Sequence, residues 1–153
     1  MQKITTFLWF DGNAEQAADF YVSIFKNSKV LSTMGPKGNA MGVTFQLEGQ
    51  EFIGLNGGPK YKFTPAISLF VSCETQAEVD ELWGKLSDGH YEQCGWLQDK
   101  YGLSWQIIPT ILGKLLGDKD RVKADRAMQA MLQMKKIDIA KLKQAFDGVM
   151  PTA

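Results

Sequence analysis

Histidine and cysteine are almost missing from this chain: one His and two Cys in 153 residues. Cys73 and Cys94 lie far apart with no Cys-x-x-Cys spacing, so they read as reduced thiols, with a disulfide between them left open. One histidine cannot serve every role of a Ser-His-Asp set, and alone it makes a poor metal site. There is no excess charge of either sign, at 17 basic and 17 acidic residues, which removes the electrostatic case for nucleic-acid or membrane partners. No apolar run approaches the roughly 20 residues of a membrane span, and the start shows no charged segment followed by an apolar h-region. A cytoplasmic protein is expected. The glycine-rich loop Met34 to Gly42 lacks the Gly-Lys-Ser/Thr ending of a phosphate loop, which argues against a nucleotide there.

What the chain does contain is organised around the stretch Cys94 to Pro109. It predicts two strands, Gly95 to Leu97 and Leu103 to Ile108, joined by a turn whose chemistry comes from Asp99 and Gly102. Alternation puts Trp105 and Ile107 on one face, with Gln106 and Ile108 on the other. Gln106 is the one hydrogen-bonding side chain of that second set, so it needs a partner from protein, water or ligand.

Elsewhere the elements come twice over. Strands are predicted at Ile4 to Phe10, Lys29 to Thr33, Val43 to Leu47, Glu51 to Leu55 and Ala66 to Ser72. Helices are predicted from Ala14 to Phe25, with Asn13 as N-cap, and from Gln76 to Leu86, with Thr75 as N-cap. The segment Gln76 to Trp83 matches Ala14 to Tyr21 in period, and Gly49 to Asn56 matches Gly102 to Pro109. The expectation is an α+β chain of two βαβββ modules, about 1–62 and about 63–109, forming a cupped mixed sheet. A helical tail, 110–153, follows: Thr110 to Leu116, Lys119 to Met134, and a third helix from Asp138 to Phe146 stopped by Gly148. A stripe of Met128, Met131 and Met134 suits core or subunit packing.

Paired βαβββ units resemble the vicinal oxygen chelate superfamily of glyoxalases, extradiol dioxygenases and bleomycin resistance proteins. Phe7 to Glu15, Leu55 to Pro59, Cys94 to Pro109 and, in the tail, Met131 to Ala140 are similar to the PhnB-like group, which carries the label 3-demethylubiquinone-9 3-methyltransferase domain; the likeness spans essentially the whole chain. The resemblance implies two modules around a shared cavity, within a homodimer. It also implies four metal-ligand positions, which fall at about Thr6, Ile53, Ser68 and Gln106. None is His, Asp or Glu, so no transition metal and no cofactor is expected. The nearest compensating donors are His90 and Glu92, in a stretch that reads as a solvated loop. No Rossmann-like unit for S-adenosylmethionine appears, and nothing beside Cys94 would activate it as a nucleophile.

These observations lead to a protein that binds a small molecule through Thr6, Ser68 and Gln106 in the cavity between its modules. The competing readings are an enzyme acting on a small oxygenated compound, with atypical metal ligands or none, and a subunit whose surface matters more than its cavity.

Overall fold

The computed structural model describes residues 2–149, so the last four residues of the expected tail lie outside it. The chain divides into two compact units, one ending at Phe63 and the other starting at Thr64.

In the first unit, β1 (Thr6–Phe10) is followed by α1 (Ala14–Ile24) and then β2 (Lys29–Met34), β3 (Gly42–Leu47) and β4 (Gln50–Asn56). The sheet order is β1-β4-β3-β2. β1 runs parallel to β4, and the other two pairings are antiparallel. Strand alternation sends Leu8, Phe10, Val43, Phe45, Leu47 and Phe52 to one buried face. α1 packs there through Ala14, Ala17, Ala18 and Tyr21. The close approach is visible at Gly54, where an added Cβ would sit 3.4 Å from the Cβ of Ala14. A tight turn at Glu48 and Gly49, φ 49° and 83°, closes the β3–β4 hairpin.

The second unit repeats the plan with β5 (Ser68–Cys73), α2 (Gln76–Leu86), β6 (His90–Gln93), β7 (Trp96–Gln98) and β8 (Ser104–Pro109). Its order is β5-β8-β7-β6, with β5 parallel to β8. Both helices have 11 residues, and their fourth positions, Ala17 and Val79, are fully buried alike. β6 is a correction to the sequence reading, which leaves residues 87–92 as loop. Polar residues on an exposed edge strand show no alternation to read, and the pairing with β7 is irregular between His90 and Gln93.

Helix α1 differs from expectation at its start. Asn13 makes no side-chain capping bond. Asn56, at the end of β4, does so instead: its Oδ1 accepts from Ala14 N at 2.8 Å, and its Nδ2 donates to Ala40 O at 2.9 Å. α2 follows expectation, with Thr75 Oγ1 accepting from Glu78 N at 3.2 Å.

The tail folds as α3 (Thr110–Leu116), α4 (Arg121–Leu132) and α5 (Ile139–Asp147). α4 starts later than the expected Lys119, because the Asp120 carboxylate caps it by accepting from Val122 N and Lys123 N, and it ends at Leu132 rather than Met134. Ile108, Leu112, Leu115, Ala127, Ile137 and Leu142 form the tail's core, with Met131 and Met134 packed against it and Met128 exposed. Asp138 caps α5, and Gly148 ends it at φ 75°.

Removing the distant cap should therefore cost more than removing the adjacent one. Asn56→Ala should lower unfolding free energy by about 1–2 kcal/mol in urea titrations, and Asn13→Ala by less than about 0.5 kcal/mol. Equal losses would contradict the assignment.

Candidate functional site

Each sheet has one face packed by its helix and one face without it. In the second unit the helix-free face is set by the turn before β8. Asp99 is 2 % exposed, and its Oδ1 accepts from Tyr101 N at 2.8 Å and Leu103 N at 3.1 Å. Its Oδ2 accepts from the Trp105 indole at 2.9 Å. Trp105 is thereby held on the helix side, and by alternation Ser104, Gln106 and Ile108 fall on the other.

The ladder brings two of the expected site residues together. Gln106 Nε2 donates to Ser68 Oγ at 3.0 Å across the β5–β8 pair. Phe70, the register partner of Gln106, is 59 % exposed on the same face. Trp96 faces Gln106 from β7, and Gln93 faces Trp96 from β6. A cavity of about 370 Å³ opens beside them, lined by Pro65, Ala66, Tyr91, Gln93, Cys94 and Trp96.

Thr6 belongs to the first unit, where it lies on the helix side of its own sheet. The ladders pair Thr6 with Phe52 and Phe7 with Ile53, as they pair Leu69 with Trp105 and Phe70 with Gln106. Given the match of β4 to β8, the counterpart of Ser68 is Thr5, one residue earlier. Thr6 shares the alternation of Leu8 and Phe10, toward α1. A shift of one residue moves a side chain through the sheet, and similarity between Thr and Ser could not fix it.

Ser104 is a residue the sequence reading missed. It is fully buried, it pairs with Ser68 in the ladder, and its hydroxyl makes no hydrogen bond among the described residues. Strand alternation from Gln106 would have found it.

Comparison with known proteins now bears on this geometry. Residues 2–108 match the family described as 3-demethylubiquinone-9 3-methyltransferase. The chain belongs to this family. A solved structure of the PhnB protein from Bacillus cereus is 39 % identical, with TM-score 0.63, over 71 % of this chain and 100 % of that one. A Pseudomonas aeruginosa protein shares the fold at 15 % identity and TM-score 0.59, over 71 % of this chain and 98 % of that one. A Frankia domain described as glyoxylase/bleomycin resistance protein/dioxygenase matches at 13 % identity and TM-score 0.49, over 71 % and 92 % of the two chains. No curated protein matches the chain.

The metal that the family resemblance implies does not fit the residues present. Ile53 offers no donor atom, and Ser68 and Gln106 are neutral groups already bonded to each other. Among the described residues no three His, Cys, Asp or Glu side chains gather as a metal site. His90 faces Asp88, with Nδ1 2.9 Å from Oδ1, and Glu92 accepts from the Ser87 hydroxyl. S-adenosylmethionine fares no better against the fold, since each sheet has one parallel pair and no Rossmann-like run of parallel strands.

The two cysteines are free and differ in reach. Cys73 is fully buried, and burial, reinforced by Glu78 and Glu74, pushes its thiol up to about 12. Cys94 lies at the cavity. In native protein at about pH 8 a disulfide reagent should therefore label one thiol, and Cys94→Ser should abolish the signal. Because the folded pKa of Cys73 is raised, its contribution to stability is complete below the unfolded thiol value near 9. It is lost as pH rises toward about 12. Denaturation curves of Cys73→Ala should lack that part of the alkaline decline.

Proposed function

We propose that the protein binds a neutral small molecule on the helix-free face of its second sheet, without a transition metal. The observation that carries this reading is the Gln106–Ser68 pair beside a cavity of about 370 Å³, a volume typical of small-ligand sites. The cavity lining is Pro65, Ala66, Tyr91, Gln93, Cys94 and Trp96, with no Lys, Arg, Asp or Glu among them. A charged ligand would lose its hydration there without a compensating partner. Tyr91, Trp96 and Pro65 offer flat apolar surface to a ring. The Gln93 amide in the lining and the Gln106 carbonyl next to Trp96 in the ladder supply a donor and an acceptor for a ligand hydroxyl. Shape and hydrogen bonds suffice for binding or sequestration, which needs no metal. The methyltransferase wording attached to the family gains no support from the residues at this face.

A homodimer is part of the same proposal. β2 is an edge strand with Val30, Leu31 and Met34 exposed, a surface that a second copy can cover. Light scattering should give twice the mass of one chain.

Thermal-shift measurements with a matched pair of probes test the binding reading. 2-Naphthol should raise the melting temperature, and 2-naphthoate, the same ring carrying a charge, should not. Gln106→Leu should abolish the shift while the ligand-free melting temperature moves little. An equal shift in Gln106→Leu, or a preference for the carboxylate, would overturn the assignment.

A further inference from the structure

We propose that residues Met134 to Ile139, between α4 and α5, form a strap that sets the cavity wall at Cys94, with Gln76 as its positioning residue. The proposal refines the site assigned above, but its argument concerns the wall and not the ligand.

Cys94 and Gly95 form the two-residue turn between β6 and β7, with φ 52° and 84°. Their amides point away from the hairpin and need acceptors. The strap supplies both: Cys94 N donates to Met134 O and Gly95 N to Lys135 O, each at 2.8 Å. Glycine is required at the second position, because the backbone is left-handed and a Cβ would meet Ile108 Cδ1 at 2.5 Å and Ile137 Cγ1 at 3.1 Å. The strap thus lies directly on the turn, and its own Ile137 is fully buried against Gly95.

Its other side is held by one amide. Gln76 Nε2 donates to Ile137 O at 2.9 Å, and Gln76 Oε1 accepts from Ile139 N at 2.8 Å. The side chain satisfies the strap backbone as a neighbouring strand would. Lys136 adds an ion pair to Asp80 at 2.9 Å, which together with Gln76 holds the Asp80 carboxyl below its ordinary range.

Cys94 is the junction between strap and cavity: its amide is bound by the tail and its residue lines the cavity with Tyr91, Gln93 and Trp96. The family match stops at residue 108, and the Bacillus cereus relative is covered completely by 71 % of this chain. The strap therefore lies outside the residues that the family model covers.

Amide hydrogen exchange and thiol labelling on Gln76→Ala test the strap. Exchange at Cys94 and Gly95 should accelerate about tenfold, and labelling of Cys94 by a disulfide reagent should change by a similar factor. The Asp99 amide, bonded to Leu103 O at 2.9 Å in the same unit, is the control and should keep its rate. Unchanged rates at Cys94 and Gly95, or an equal rise at all three amides, would overturn the proposal. So would faster amides with unaltered thiol labelling, since the strap would then not reach the cavity wall. If Gln76→Ala does not fold, Ile137→Val keeps both Gln76 bonds and trims one buried methyl group. It should shift the same two amides in the same direction, and no shift would count against the strap. None of these readouts requires a bound ligand, so this proposal and the binding reading stand or fall separately.

Discussion

A buried carboxylate governs the arrangement of the second unit. Asp99 has both oxygens engaged, one by two backbone amides of its own turn and the other by the Trp105 indole. Hydrogen bonds to a charged acceptor are stronger than neutral ones, and burying that charge without them would be costly. The consequence extends beyond the turn. Once Trp105 is tied to Asp99, β8 has one register available, and every side chain from Ser104 to Ile108 has its face assigned.

That assignment accounts for the character of the site. A Gln and a Ser meet at positions where the family resemblance implies metal ligands, and the equivalent last-strand position of the first unit is Ile53. The two units share a plan and differ in polarity. Phe7 and Phe70 occupy matching positions, both exposed, beside Ile53 in one unit and Gln106 in the other. Recognition by neutral hydrogen bonds and aromatic surface is the chemistry such residues support, and the Gln106–Ser68 pair of the second unit has Ile53 and Thr5 as its counterparts in the first.

The tail is built onto the end of the second sheet. Its helices build a core that starts from Ile108, the last buried aliphatic residue of β8, and includes Ile137. The segment between α4 and α5 then satisfies backbone groups that a tight hairpin leaves unpaired. Local bonding of this kind couples a peripheral extension to a wall of the cavity without altering the sheet.

Periodicity alone determined much of this protein. Among the described residues, apolar spacing located both helices, seven of the eight strands and the three tail helices, and the match of Gly49 to Asn56 with Gly102 to Pro109 announced the repeat. Such patterns are legible because side-chain burial repeats every 2 or 3.6 residues, whatever the rest of the chain does. The polar edge strand His90–Gln93 carried no such signal, since its pairing is made by backbone groups. The cap of α1 was equally hidden: Asn13 has the right chemistry and place, but Asn56, 42 residues away in sequence from Ala14, reaches the amide. Only the tertiary structure decided that Gln106 meets Ser68 and that Thr6 turns toward the helix. Pairing between distant strands is set by ladders that slide in steps of one residue, each step reversing the face, and sequence similarity between a Thr and a Ser cannot count those steps.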